Sequence, residues 1–141
     1  QLQLTITDIV AEVHAVHHPI ASSLYYDDQK EAAKSAAEKF REERIPKYFD
    51  HCERALGVKD GPFMAGESWS HVDTSLFQLV EGLRYAFPQR MAAIEPDYPR
   101  LVACRDGVAG IEGIARYLDS ERRIAFNEDG IFRHYPELDA A

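Results

Sequence analysis

An all-α domain of five or six helices, closed by an aromatic C-terminal strap, is what this sequence predicts. Three observations lead there. Residues 61–87 read as a tight turn followed by a capped amphipathic helix. Residues 5–25 place apolar side chains on one arc of another helical wheel. The composition, 141 residues with 45% hydrophobic and 28% charged, suits one globular domain with a real core.

The central stretch carries the strongest local signal. Gly61-Pro62 and Gly66 provide the fixed and the permissive dihedrals of a reversal. Ser70 sits where an N-cap belongs, and Asp73, three residues on, can reach back to the Ser70 amide as the acidic half of a capping box. Val72, Leu76, Leu79, Val80, Leu83 and Phe87 then recur at helical spacing, with Thr74, Gln78, Glu81 and Arg84 on the other side. Gly82 weakens that helix and predicts close contact with a neighbouring helix.

The run Phe63-Met64-Ala65-Gly66-Glu67, followed by Ser70-His71-Val72-Asp73, resembles the N-capping segment in the helical C-terminal domain of cytosolic glutathione transferases. The order of helices and the Tyr117-Leu118 ending of a late helix extend the resemblance to nearly the whole chain. It implies a domain that walls the apolar second-substrate site and forms a homodimer. In that family a thioredoxin-like domain comes first and holds the catalytic group and most glutathione contacts. Glutathione is then a co-substrate of the whole protein, no cofactor is bound by this chain alone, and the chain by itself is expected not to conjugate glutathione. The absence of an initiator methionine, with helical patterning from the first half-dozen residues, reads as a cut at a domain boundary.

The first helix is expected over residues 5–25. Thr5 and Asp8 make a second candidate capping box, and Ile6, Ile9, Val10, Val13, Val16, His17, Ile20 and Leu24 share the core arc. Pro19 should kink or break it. His14, His18 and Tyr25 form a polar-aromatic stripe beside the core, and the resemblance implies that they face the small-molecule electrophile. His14 and His18 are four apart, but Ala15 stands where the zinc-protease pattern needs glutamate and no distant ligand set completes a site, so no metal is expected. His17 reads as a core histidine with a hydrogen-bond partner. Glu12 occupies the position at which dimeric relatives of the resembled family carry an acid that reaches the glutathione amino group across the interface; read from the wheel alone, it is a helix-edge glutamate.

From Asp28 to Gly57, Ala33, Ala37, Phe40, Tyr48, Cys52 and Leu56 mark a core face divided by Pro46. Residues 88–97 read as a loop, and Tyr98-Pro99 opens another helix. Gly107, Gly110 and Gly113 lack the spacing of a phosphate loop and mark a bend between two shorter helices. The tail brings Phe126, Phe132, His134 and Tyr135, aromatics that must pack on something. They either close the core or, as the resemblance implies for Phe126 and Phe132, wall an apolar ligand pocket.

Sixteen basic against 24 acidic residues, a net charge of −8, disfavour nucleic acid as a partner. No apolar run reaches the ~20 residues of a membrane span. Cys52 and Cys104 form no CxxC and suit buried thiols in a reducing, cytoplasmic compartment. The competing reading is a non-catalytic helical interaction module on the same fold, because fold does not fix function.

Overall fold

The computed structural model describes residues 1–141 and contains helices, short 3₁₀ turns and irregular segments, with no β-sheet. The α-helices are α1 (Leu2–Val16), α2 (Lys30–Lys39), α3 (Ile45–Leu56), α4 (His71–Ala86), α5 (Pro88–Ile94), α6 (Pro99–Ala109) and α7 (Glu112–Leu118). A π-helical stretch, Phe40–Arg44, joins α2 to α3 without a break, so the seven segments make six helical bodies. The tail ends in a 3₁₀ turn, Pro136–Leu138.

α4 is the centre of the bundle. It packs against α6, α1 and α5, while α3 covers α6 and α2 lies on α1 and on the terminal 3₁₀ turn. Its position follows from its start. Ser70 is in extended conformation and its Oγ accepts from the Val72 amide at 3.3 Å. Asp73 answers, Oδ2 accepting from the Ser70 amide and the Ser70 hydroxyl at 2.8 Å each. The same carboxylate accepts the Met64 amide at 2.7 Å through Oδ1 and the Cys104 thiol at 3.5 Å. Asp73 therefore binds the turn, the cap and α6 together, with no exposed surface of its own. In the turn, Gly61 and Gly66 adopt φ of +115° and +94°, which only glycine tolerates without strain.

Elsewhere the chain departs from sequence expectation for identifiable reasons. The first helix starts at Leu2 and stops at Val16. Thr5 lies inside it and its hydroxyl donates to the Gln1 carbonyl, so the Thr5–Asp8 box does not form. Pro19 ends the helix rather than kinking it, because the residue before a proline disfavours the α region. Ile20 and Leu24, expected in the core, are exposed on the following loop, and Tyr25 is 82% exposed. The π-helical stretch rotates the second core face, so Ile45 and Phe49 are buried and Tyr48 is only half-buried. Gly82 makes room for the tail and not for a helix: a methyl there would overlap the Phe132 ring.

Residues 88–97, expected as loop, form α5 and a 3₁₀ turn. Pro88 occupies the first turn, and Met91 and Ile94 are buried. The cap comes from 50 residues away: the Asp139 carboxylate accepts from the Gln89 amide at 2.8 Å and the Arg90 amide at 3.2 Å. The bend at Gly110 between α6 and α7 forms as expected.

Asp73→Ala leaves buried amides without partners and should destabilise the domain by about 3 kcal/mol, against about 1 kcal/mol for Ser70→Ala. The pair acts as one unit, so the double variant should lose less than the sum. Urea denaturation of the three variants measures this. Equal midpoints for parent and Asp73→Ala would remove the carboxylate from its organising role.

Candidate functional site

A cavity of about 550 Å³ opens between α1, the first half of α4 and the tail. Ile6 and Val10 line it from α1, Thr74, Gln78 and Leu79 from α4, and Phe126, Ile131 and Phe132 from the tail. None of its lining residues is ionisable. Phe132, almost fully buried, rests over Gly82, and Phe126 meets it edge-on with centroids 6.1 Å apart. Phe126 is held in turn by stacking on Tyr85, at 5.1 Å and 16°, and by the Arg123 guanidinium over its ring. The tail thus both closes the core and walls the cavity.

The other residues read as walls of the same site lie elsewhere. His18 and Tyr25 border a second, polar cleft of about 380 Å³, together with Asp27, Lys30, Glu128, Asp129, Arg133 and Glu137. His14 borders neither cleft, although its ring centroid is 5.1 Å from that of His18. The stripe divides because the helix that was to carry it ends at Val16. Thr74 and Gln78 were legible only as the polar face of α4; their lack of charge was the available signal that this face meets something other than bulk water. No three His, Cys, Asp or Glu side chains are placed to hold a metal ion, and no helix is long and apolar enough to cross a membrane.

The family described as Glutathione S-transferase, C-terminal domain, has a model that matches residues 14–121. The chain belongs to that family. A search of curated proteins returns no match. The matched span covers α2 to α7 but stops before the strap and leaves out most of α1. In this glutathione S-transferase C-terminal domain, Ile6, Val10, Phe126 and Phe132 of the cavity wall therefore lie outside the residues that define membership.

Glu12 is neither free nor simply solvated. Its two oxygens accept from Arg44 Nε and Nη2 at 2.8 and 2.7 Å, and Tyr48 Oη donates to it at 2.9 Å. The Arg44 guanidinium holds its carboxyl below the usual carboxylate range, against the opposing effect of burial. The cluster ties α1 to the π-helical stretch and α3 of this transferase domain.

His17 is the core histidine the wheel indicated. It is 3% exposed, and its Nε2–H donates to the Ile131 carbonyl at 3.1 Å. Its Nδ1 has no partner. Burial pushes its pKa from 6.5 down to about 4, with the nearby Arg133 charge acting in the same direction. Between those values the unfolded chain binds a proton that the folded domain does not, so stability rises with pH. The contribution is complete above pH 6.5 and is lost as the pH falls towards 4, on the order of 3 kcal/mol in all. Denaturation midpoints from pH 7 to pH 4.5 should show this slope, and His17→Gln should flatten it. An unchanged slope in that variant would place the proton uptake on other groups.

Proposed function

We propose that this domain walls the apolar second-substrate site of a glutathione S-transferase-like protein that joins the glutathione thiolate to apolar electrophiles. The observation that carries the reading is the cavity: large enough for a small organic molecule, lined by two phenylalanines, and without an ionisable side chain. A charged ligand would lose its hydration there with no opposite charge in return, whereas an apolar one gains by transfer. The cavity wall contains no nucleophile or acid-base pair. Both cysteines are buried, and burial raises their thiols to about 11 and about 12, so neither supplies a thiolate. The reacting thiolate is then that of glutathione, held mainly by a thioredoxin-like partner domain, with the assembly a homodimer in a reducing cytoplasm.

Phe126→Ala should weaken binding of N-phenyl-1-naphthylamine, a neutral fluorescent probe, about tenfold. The melting temperature should move little, because Phe126 is only half-buried at the mouth. Titration of fluorescence against probe concentration checks it. No binding to the parent chain would overturn the cavity reading.

Glu12 enters the proposal as a carboxylate for the glutathione ammonium group across the dimer, which would join the three donors it already accepts and share its charge with Arg44. In the full-length dimer, Glu12→Gln should raise the glutathione dissociation constant several-fold and leave apolar-probe affinity unchanged. Loss of stability with unaltered glutathione affinity would reduce Glu12 to its structural pair with Arg44.

One feature favours the second reading, a non-catalytic interaction module. The loop after α1 presents Ile20, Leu24 and Tyr25 to solvent while buried Gln29 fixes its backbone, accepting from Ile20 N at 2.9 Å and donating to Ala21 O and Leu24 O at 3.1 Å each. Rigid exposed apolar groups suit a protein contact. A module of that kind has no need of the cavity, so the probe titration separates the two readings.

A further inference from the structure

The strap that walls the cavity is attached to the helical body by ring packing and by His17, His18 and His134, and the attachment at His18 requires an uncharged ring. His18 Nδ1 lies 3.1 Å from the Leu24 carbonyl, which can only accept, and 3.4 Å from Gln29 Nε2, which can only donate; the shorter contact, together with the Arg133 donor on the other ring nitrogen, assigns the proton to Nδ1. Nε2 is then a bare acceptor, and it receives Arg133 Nη1 at 3.2 Å. Arg133 is the hub of the strap's turn, donating also to the Gly130 carbonyl at 2.8 Å and the Asp129 carbonyl at 3.4 Å. Two residues earlier, the Ile131 carbonyl is held by buried His17. Phe132 stands between these two points.

We propose that protonation of His18, at the end of α1, frees Arg133 and loosens the strap with its Phe132 wall, so that acidification opens the apolar cavity. A proton on His18 Nε2 removes the acceptor Arg133 needs and sets two cations at hydrogen-bond distance. The His14, His17 and His18 centroids are 5.0–5.3 Å apart, so each charge gained also repels the next.

Most of the other charged groups around the cluster are already engaged. Asp27 is paired with Lys30 at 2.6 Å, Glu128 accepts from the Tyr85 hydroxyl at 2.6 Å, and Glu137 accepts from the Tyr26 hydroxyl at 2.9 Å. The Asp129 carboxylate borders the same cleft without such a partner and is the one carboxylate there free to meet a new charge. Beyond the strap the chain remains anchored, by Tyr135 stacked on Tyr26 at 3.8 Å, by Arg41 on the Leu138 carbonyl and by Asp139 on α5. Release is confined to residues 124–133.

The inference rests on the cavity reading only for its consequence, so its test has two readouts. Hydrogen exchange of the full chain, corrected for intrinsic rates, should be about tenfold faster in residues 124–133 at pH 5.5 than at pH 7.5. His18→Gln keeps a neutral acceptor and should hold the pH 7.5 protection at both values. Affinity for N-phenyl-1-naphthylamine should fall several-fold on acidification in the parent and stay constant in the variant. Equal corrected exchange at the two pH values in the parent, or the same pH dependence in His18→Gln, overturns the proposal. Strap exchange that responds as expected, with no probe bound at either pH, upholds the release and overturns the cavity reading instead.

Discussion

The Asp73 carboxylate is the constraint on which the rest of the bundle depends. A buried carboxylate is tolerated only when its lone pairs are filled, and here two amides, a hydroxyl and a thiol fill them. Those donors come from the turn, the cap and α6. Satisfying one charge therefore sets where the chain enters α4 and how α6 lies against it. With α4 fixed, α1 and α5 have a surface to pack on, and Gly82 on that surface decides where the tail returns.

What could be read in the sequence was what local chemistry decides. Ser70 and Asp73 are three residues apart, so the cap was visible without knowing any tertiary contact. The same holds for Tyr98-Pro99 and for the bend at Gly110. The errors have a common cause in partners distant along the chain. α5 was read as loop because its capping acid is Asp139. Tyr48 was assigned to the core because a wheel of constant period does not foresee the extra residue of a π-helical turn. Glu12 could be placed on a helix edge, but not beside Arg44, 32 positions later.

The candidate site was legible in part, and unevenly. Phe126 and Phe132 were recognised as aromatics in need of a surface, and they do meet in one wall. His14, His18 and Tyr25 were joined to them on a helix read over residues 5–25, with Pro19 expected to kink or break it. The helix stops before Pro19, and His18 and Tyr25 fall to the other side of the strap while His14 borders neither cleft. The sequence held the proline in plain view; what it did not hold was whether the ladder would bend or stop. His17 was the exception, since three percent exposure follows from its place on the core arc and a buried imidazole nitrogen needs a partner.

Two clefts of opposite character thus share one thin partition. On one face of the strap Ile131 and Phe132 complete an uncharged wall; on the other, Arg133 and Asp129 border a cleft rich in ions. The turn at residues 128–132 carries the chain from one cleft to the other, so residues close in sequence serve environments that differ in polarity. The partition itself has little secondary structure to stiffen it. Its position is set by side-chain contacts to helices on both sides, Phe132 over Gly82 and Arg133 on His18. The proposed release couples the two clefts through these contacts, the apolar wall at Phe132 and the polar one at Arg133.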